Sequence, residues 1–289
     1  MTVLFRGPVL DQLNAATNSL KKGSVPNARW HAELLLGSVL ELARHELYLQ
    51  ATDELPVSAM VTFADLVARR SRGEPTQYLI GSTEFYGLPF KCDRRALIPR
   101  PETEHVVEAA LWFIGENRGT GLKILELGTG SGCIAVTLAV HLPKAEILAT
   151  DISSAALELA SENAQHHRVD GRIEFRRSDL FDDVIDRYDV LVANLPYVSS
   201  LDRDSLQREI RDWEPEDALF AGPDGLAVLR ATLESAPAHL RDGGQIILEI
   251  GLGQDSEVEQ LAERSGHYSR PEWRNDYQGI RRVFCAHKV

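Results

Sequence analysis

Leu122-Lys-Ile-Leu-Glu-Leu-Gly-Thr-Gly-Ser-Gly132 is the stretch on which the fold turns. An apolar run of strand length passes directly into three glycines at alternate positions, Gly128, Gly130 and Gly132, and then into a helix-like segment reaching His141. From there the alternation continues in both directions. A helix is predicted over 104–115, a strand over 122–127, a helix over 132–141, a strand over 145–150 and a helix over 153–166. Strands follow near 172–176 and 188–193, a helix over 225–240, a strand over 245–250 and a helix over 257–264. The stretches near 267–273 and 281–286 predict a closing pair of strands. Alternating elements of this kind form an α/β fold, a parallel sheet with helices on both faces.

Ligands in such sheets bind at the carboxyl ends of the strands, and the unusual polar motifs fall at such ends. They are Glu126–Gly132, Asp151, Ser178-Asp179 and Asn194–Tyr197. The glycine loop excludes two nucleotide classes. A P-loop requires Gly-Lys-Ser/Thr at its end and no Lys follows Gly132, while a dinucleotide fingerprint requires glycine where Cys133 stands. An open glycine turn with a carboxylate after the next strand suits a nucleoside without phosphates, and S-adenosylmethionine (SAM) fits. Asp151 would accept from both ribose hydroxyls; its alternative role is a helix cap before Ser153-Ser154. Asp179 could accept from the adenine amine, with Leu180 or Phe181 covering the ring. The candidate donor-binding set is therefore Glu126, Gly128, Thr129, Gly130, Ser131, Gly132, Asp151, Ile152, Asp179, Leu180 and Asn194.

Asn194-Leu195-Pro196-Tyr197 follows the apolar run 188–193. An Asn-x-Pro-Tyr sequence after a strand can be a plain turn. Downstream of the glycine loop it also suits a pocket for a planar, amide-like nitrogen. Asn194 Oδ1 and the carbonyl of Leu195 would both accept from an NH₂ group, and Tyr197 would stack on the plane. Asn194, Pro196 and Tyr197 are the candidate catalytic residues. The substrate-binding set is Asn194, Leu195, Pro196 and Tyr197.

The 289 residues carry a formal net charge of −12 and three scattered cysteines, Cys92, Cys133 and Cys285. No basic run of the size needed to grip a phosphate backbone is present, so direct nucleic-acid binding is not expected. The cysteines lack metal-ligand spacing, fit a reducing cytoplasm and argue against a zinc site or disulfide frame. Adjacent His166 and His167 are read as a solvated helix end. With no signal-peptide pattern and no apolar run of about 20 residues, neither secretion nor membrane insertion is expected. A monomer is expected.

Residues 1–73 read as a small helical bundle. Val9, Leu10, Leu13, Ala16 and Leu20 recur at helical spacing, as do the apolar positions of 32–42 and 60–67. Asn27 and Pro56 mark helix starts. No catalytic motif occurs there, so substrate docking is the expected role. Gly73-Glu-Pro75 breaks the pattern. The aromatic, Gly- and Pro-rich stretch 74–101 reads as a β-hairpin linker, leaving 102–289 as the catalytic domain.

Several motifs run in the order found in the HemK/PrmC family of peptide chain release factor glutamine methyltransferases, which the chain resembles over nearly its whole length. They are Gly73-Glu-Pro75, Glu84-Phe-Tyr-Gly87, Leu97–Glu104, Glu126–Gly132, Asn194–Tyr197, Asp212-Trp-Glu-Pro215 and Leu248-Glu-Ile-Gly251. The resemblance implies methylation, with SAM as donor and S-adenosylhomocysteine as product, of the glutamine nitrogen in the Gly-Gly-Gln motif of class 1 peptide chain release factors. It further implies a Rossmann-like, seven-stranded methyltransferase domain behind a helical N-terminal domain and a hairpin, and it adds Arg100 and Glu102 to the substrate-binding set. Leu195 departs from the family's usual second proline, and Leu180 from its frequent tryptophan. Three rival readings are a glutamine methyltransferase acting on a ribosomal protein, an adenine-amino nucleic-acid methyltransferase, and a non-catalytic SAM-binding protein.

Overall fold

A computed structural model describes residues 7–115 and 121–289, so the first six residues of the expected N-terminal domain lie outside the described part. The chain divides into two compact units: one takes in the chain to Ser82 together with Gln207–Trp213, the other the remainder.

The first unit is built from α1 (Val9–Lys22), α2 (Ala28–Leu40), α3 (Arg44–Leu49), α4 (Val57–Ser71) and α5 (Thr76–Ile80). Val9, Leu13, Ala16 and Leu20 of α1 are buried at the expected spacing, while Leu10 is exposed. They join Ala32, Leu35 and Leu36 of α2 and Met60, Phe63 and Val67 of α4 in one apolar cluster. Full burial of each such side chain is worth about 1.5–3 kcal/mol. The stretch read as a linker begins differently. Pro75 fixes φ at the start of a helix rather than ending one, and Thr76–Ile80 is helical with Tyr78 buried. Segment 207–213, unanticipated in the sequence, is held by Glu209, which accepts from the guanidinium of buried Arg70.

The second unit opens with the hairpin β1 (Ser82–Phe85) and β2 (Leu88–Lys91). Tyr86 and Gly87 connect the two with φ of 52° and 71°, the paired positive φ of a two-residue hairpin turn. There follow α6 (Glu104–Ile114), β3 (Lys123–Leu127), α7 (Cys133–His141), β4 (Glu146–Asp151), α8 (Ser154–His166), β5 (Ile173–Arg177) and β6 (Tyr188–Ala193). After α9 (Arg208–Trp213), which belongs to the first unit, come α10 (Ala227–His239), β7 (Leu240–Glu249), α11 (Asp255–Ser265), β8 (Glu272–Asn275) and β9 (Arg281–His287).

Seven strands form one sheet in the order β5-β4-β3-β6-β7-β9-β8. The first five run parallel, whereas β9 is antiparallel to β7 and to β8. The antiparallel edge is the expected closing pair of strands, added to the parallel part of the sheet. The closing pair also starts later than expected, at Glu272. Alternation splits each central strand between two apolar layers. Ile124 of β3, Val190 of β6 and Ile247 of β7 face the cluster that includes α6 and α7; Leu125, Leu191 and Leu248 face the one that includes α10 and α11. That parity puts Glu126 on the α7 side. The chain leaves β3 toward β4 and β5 and returns on the other side as β6, so the crevice between β3 and β6 is the topological switch point. No helix among the described residues is long and apolar enough to cross a membrane.

Candidate active site

A cavity of about 370 Å³ opens at this switch point, within the range of about 300–1,000 Å³ usual for small-molecule sites. The ends of four strands, β3, β4, β5 and β6, and the loop after β2 supply most of its walls.

The glycine loop forms the floor. Gly128, Gly130 and Gly132 have φ of 66°, 55° and 81°, the left-handed region that costs any other residue roughly 1–2 kcal/mol. Beneath it, Glu126 is buried. Its Oε2 accepts from Thr129 Oγ1 at 2.7 Å and from the backbone of Ala135 at 3.1 Å, tying loop to helix. Burial pushes its carboxyl up to about 8, against the opposing pull of those two donors.

Asp151 ends β4 beside the loop. Oδ2 accepts from the backbone of Gly130 at 2.9 Å and Oδ1 from that of Ser153 at 2.9 Å. The helix-cap alternative belongs to the neighbouring residue, because Ser153 itself caps α8 by accepting from Ala156. Ile152 is half exposed on the cavity wall, and Asp179 and Leu180 line it too. Of the two residues weighed as an adenine cover, Phe181 is withdrawn. It is buried with its ring stacked on His239 at 4.6 Å, while Leu180 holds the lining position with an unusual φ of 46°.

Asn194 closes the crevice at the end of β6. Its Nδ2 donates to Thr103 Oγ1 at 2.9 Å, and Thr103 Oγ1 donates to Glu249 Oε2 at 2.6 Å. Glu249, at the end of β7, is buried and its carboxyl is pushed up to about 7 by that burial. Asn194, Leu195 and Pro196 line the cavity; Tyr197 does not. The expected stacking of Tyr197 on an acceptor is corrected by the structure. Its ring packs against the α10–α11 apolar layer, and its hydroxyl donates to Glu249 Oε1 at 3.2 Å. Arg100 lines the cavity with its guanidinium held by the buried carboxylate of Glu214, and Glu102 stands outside the lining.

Thr103, Glu249 and Glu214 were not singled out from the sequence as site residues. All three fall inside motifs that carry the family resemblance, and Glu249 is also a carboxylate ending the apolar run 246–248, a position that burial penalises unless it is used. The wall formed by Pro215, Asp217 and Phe220 carried no signal, since those residues reach the cavity only through folding.

The chemistry of the walls fits a phosphate-free nucleoside. The two lining cations are both committed, Arg95 to Asp93 and Glu162 and Arg100 to Glu214. Neither is left for a phosphate, and the Asp151 carboxylate lines the same cavity. Among the described residues no cluster of His, Cys, Asp and Glu could hold a metal ion. All three cysteines are buried and free, and the His167 ring nitrogen meets the Pro89 carbonyl at 2.7 Å.

Residues 11–81 match the PrmC N-terminal domain and residues 114–211 the methyltransferase small domain. A release factor glutamine methyltransferase of Koribacter versatilis is 36% identical over 95% of this chain and 96% of its own length. One from Cereibacter sphaeroides is 41% identical over 89% of this chain and 90% of its own length. Among solved structures, the hMettl16 catalytic domain in complex with MAT2A 3′UTR hairpin 6 superposes with a TM-score of 0.57 at 15% identity, covering 80% of this chain and 81% of that one. A methyltransferase from Pyrococcus furiosus gives 0.52 at 17% identity, covering 71% and 90%. At that identity the likeness is one of fold.

Proposed function

The chain belongs to the release factor glutamine methyltransferase family, and we propose that it methylates the side-chain nitrogen of the glutamine in the Gly-Gly-Gln motif of class 1 peptide chain release factors. The donor is S-adenosylmethionine and the product S-adenosylhomocysteine. The observation that carries this reading is that Asn194, Leu195 and Pro196 line the same cavity as Gly128, Gly130 and Asp151. The residues assigned to donor and to acceptor are thus neighbours in one cavity.

When bound, the donor supplies an electrophilic methyl group on a sulfonium. Asp151 would hold the ribose hydroxyls, the glycine loop the backbone side of the ligand, and Leu180 the adenine face. A glutamine amide is a weak nucleophile because its lone pair is delocalised into the carbonyl. Asn194 Oδ1 and the Leu195 carbonyl accept from its two N–H bonds and aim the nitrogen at the methyl. As the N–C bond forms and the S–C bond breaks, the nitrogen becomes cationic and both hydrogen bonds strengthen, which stabilises the transition state over the ground state. The nitrogen then loses a proton to solvent, and no base is needed before the attack. Leu195 supplies the same backbone carbonyl as a proline would. The N-terminal helical unit, without a catalytic motif, serves capture of the protein substrate.

The test is incubation of the pure protein with methyl-labelled SAM and, separately, a class 1 release factor, ribosomal protein and DNA. Label is expected on the Gly-Gly-Gln peptide of the release factor alone. Label on ribosomal protein or DNA instead would overturn the reading. Asn194→Ala should lower single-turnover transfer by roughly a hundred- to a thousandfold, by analogy with loss of one oxyanion-hole donor.

A further inference from the structure

We propose that Thr103 and Glu249 are positioning residues that fix which end of the Asn194 amide faces the acceptor. The inference rests on the reading of Asn194 as the group that receives the substrate amide, and goes beyond it to what makes that group selective.

An asparagine amide has two ends of similar shape and opposite hydrogen-bonding sense. Only the Oδ1 end can accept from an NH₂ group; the Nδ2 end would meet it donor to donor. Something must choose between the two, and Thr103 does so. Its hydroxyl has a single proton, and that proton is directed to Glu249 Oε2 at 2.6 Å. Toward Asn194 the hydroxyl is therefore an acceptor only, so Nδ2 is drawn to it at 2.9 Å and Oδ1 is turned the other way. Glu249 imposes this in its ionised form, which gains ground as pH rises through about 7, because a carboxylate accepts and never donates. Its other oxygen accepts from the Tyr197 hydroxyl, which anchors the carboxylate from a second side. Thr103 and Glu249 are 1% and 2% exposed, so water does not compete for the chain of bonds.

The three residues come from three distant parts of the sequence: the turn before α6, the end of β6 and the end of β7. A buried polar chain that merely stabilised the fold could be replaced by apolar groups of like shape with little loss. A chain that sets the direction of an amide could not. The arrangement also gives Tyr197 a role without contact with the acceptor, as an anchor of Glu249.

The test compares Thr103→Val, which keeps the shape and removes the hydroxyl, with Thr103→Ser, which keeps the hydroxyl. Thr103→Val is expected to lower kcat for release-factor methylation about 10- to 100-fold, the scale seen when a partner orienting a ligand is removed. KM for the donor should stay unchanged, and Thr103→Ser should recover most of the loss. A second measurement does not depend on activity. The side-chain amide protons of Asn194, identified in the NMR spectrum by their loss in Asn194→Asp, should be shifted by the bond to Thr103 in the native and Thr103→Ser proteins and move toward free-amide values in Thr103→Val. Amide signals identical in all three would overturn the inference whatever the substrate is. Normal kcat in a folded Thr103→Val variant, with the native enzyme methylating the release factor, would overturn it and leave the assigned substrate standing. A native enzyme inactive on release factor, with amide shifts as expected, would instead count against the assigned substrate.

Discussion

A Cβ placed on Gly128 would stand 3.0 Å from Leu195 Cδ2, so the glycine loop after β3 and the motif after β6 are fitted to each other across the switch point. Leu195 is buried and fills the space the glycine leaves. The residue that departs from the family's usual proline thus contacts the glycine loop through its side chain.

Gly128→Ala and Gly132→Ala are expected to differ in a way set by what each Cβ meets. Both incur the left-handed backbone cost of roughly 1–2 kcal/mol. At Gly128 the neighbour is the end of a flexible side chain, whereas at Gly132 it is Ala160, with Cβ at 3.0 Å and Cα at 3.1 Å on the helix α8. Gly132→Ala should therefore lower the unfolding temperature more. Leu195→Val should relieve part of the Gly128→Ala loss and none of the other, with a coupling of about 0.5–3 kcal/mol in a double-mutant cycle. Additive effects at Gly128 and Leu195 would contradict the contact.

Asp151→Ala should weaken binding of S-adenosylhomocysteine by about 1.5–3 kcal/mol, the value of hydrogen bonds to a charged group. It also deprives the Gly130 and Ser153 backbone of acceptors, so the loop itself loosens. Asp151→Asn turns a donor toward one of those N–H groups and should be no better than Asp151→Ala. Calorimetry returning native affinity for either folded variant would remove Asp151 from the donor site.

Glu126 should make its contribution to stability fall as pH rises from about 5 to 8, against the opposite trend of His31, which is held down to about 4 by burial. Glu126 is held up to about 8 by burial, helped by the charge of Asp151 and opposed by the donors Thr129 and Ala135, from a usual value of 4.5. Between those values the folded chain keeps a proton that the unfolded chain has lost, so raising the pH favours unfolding. Each pH unit in the window costs at most about 1.4 kcal/mol per group. Glu249, held up to about 7, acts in the same direction. Denaturant titrations at several pH values should show a shallower slope in Glu126→Gln; parallel slopes would mean that Glu126 is ionised in the folded state.

Glu209→Ala should destabilise the N-terminal unit more than an exposed ion pair would. Arg70 is 2% exposed and its guanidinium is left without a carboxylate when Glu209 is removed, a loss on the scale of about 3–5 kcal/mol for a broken buried pair. Thermal unfolding and proteolysis between residues 200 and 213 should both register it. Deleting residues 1–73 would likewise strip α9 of Arg70.

The sequence alone determined the local elements and the order of the polar motifs. Strand and helix periods in 122–166 and 188–193, broken by glycines that only a left-handed turn requires, were enough to place Glu126–Gly132, Asp151 and Asn194–Pro196 at strand ends. What it left open depended on partners far away in the chain. Leu180 and Phe181 are adjacent and both apolar, and only the presence of His239 opposite one of them decides which lines the cavity. Tyr197 looked like a stacking surface until Glu249, 52 positions later, took its hydroxyl. Thr103 lies in the motif Leu97–Glu104, but its bond to Asn194, 91 positions away, is visible only in the fold. Periodicity reports which face of an element meets apolar surroundings, a property of nearest neighbours in sequence. The direction of a hydrogen bond is set by whichever group the sheet brings opposite, and that is known only once the strands are in order.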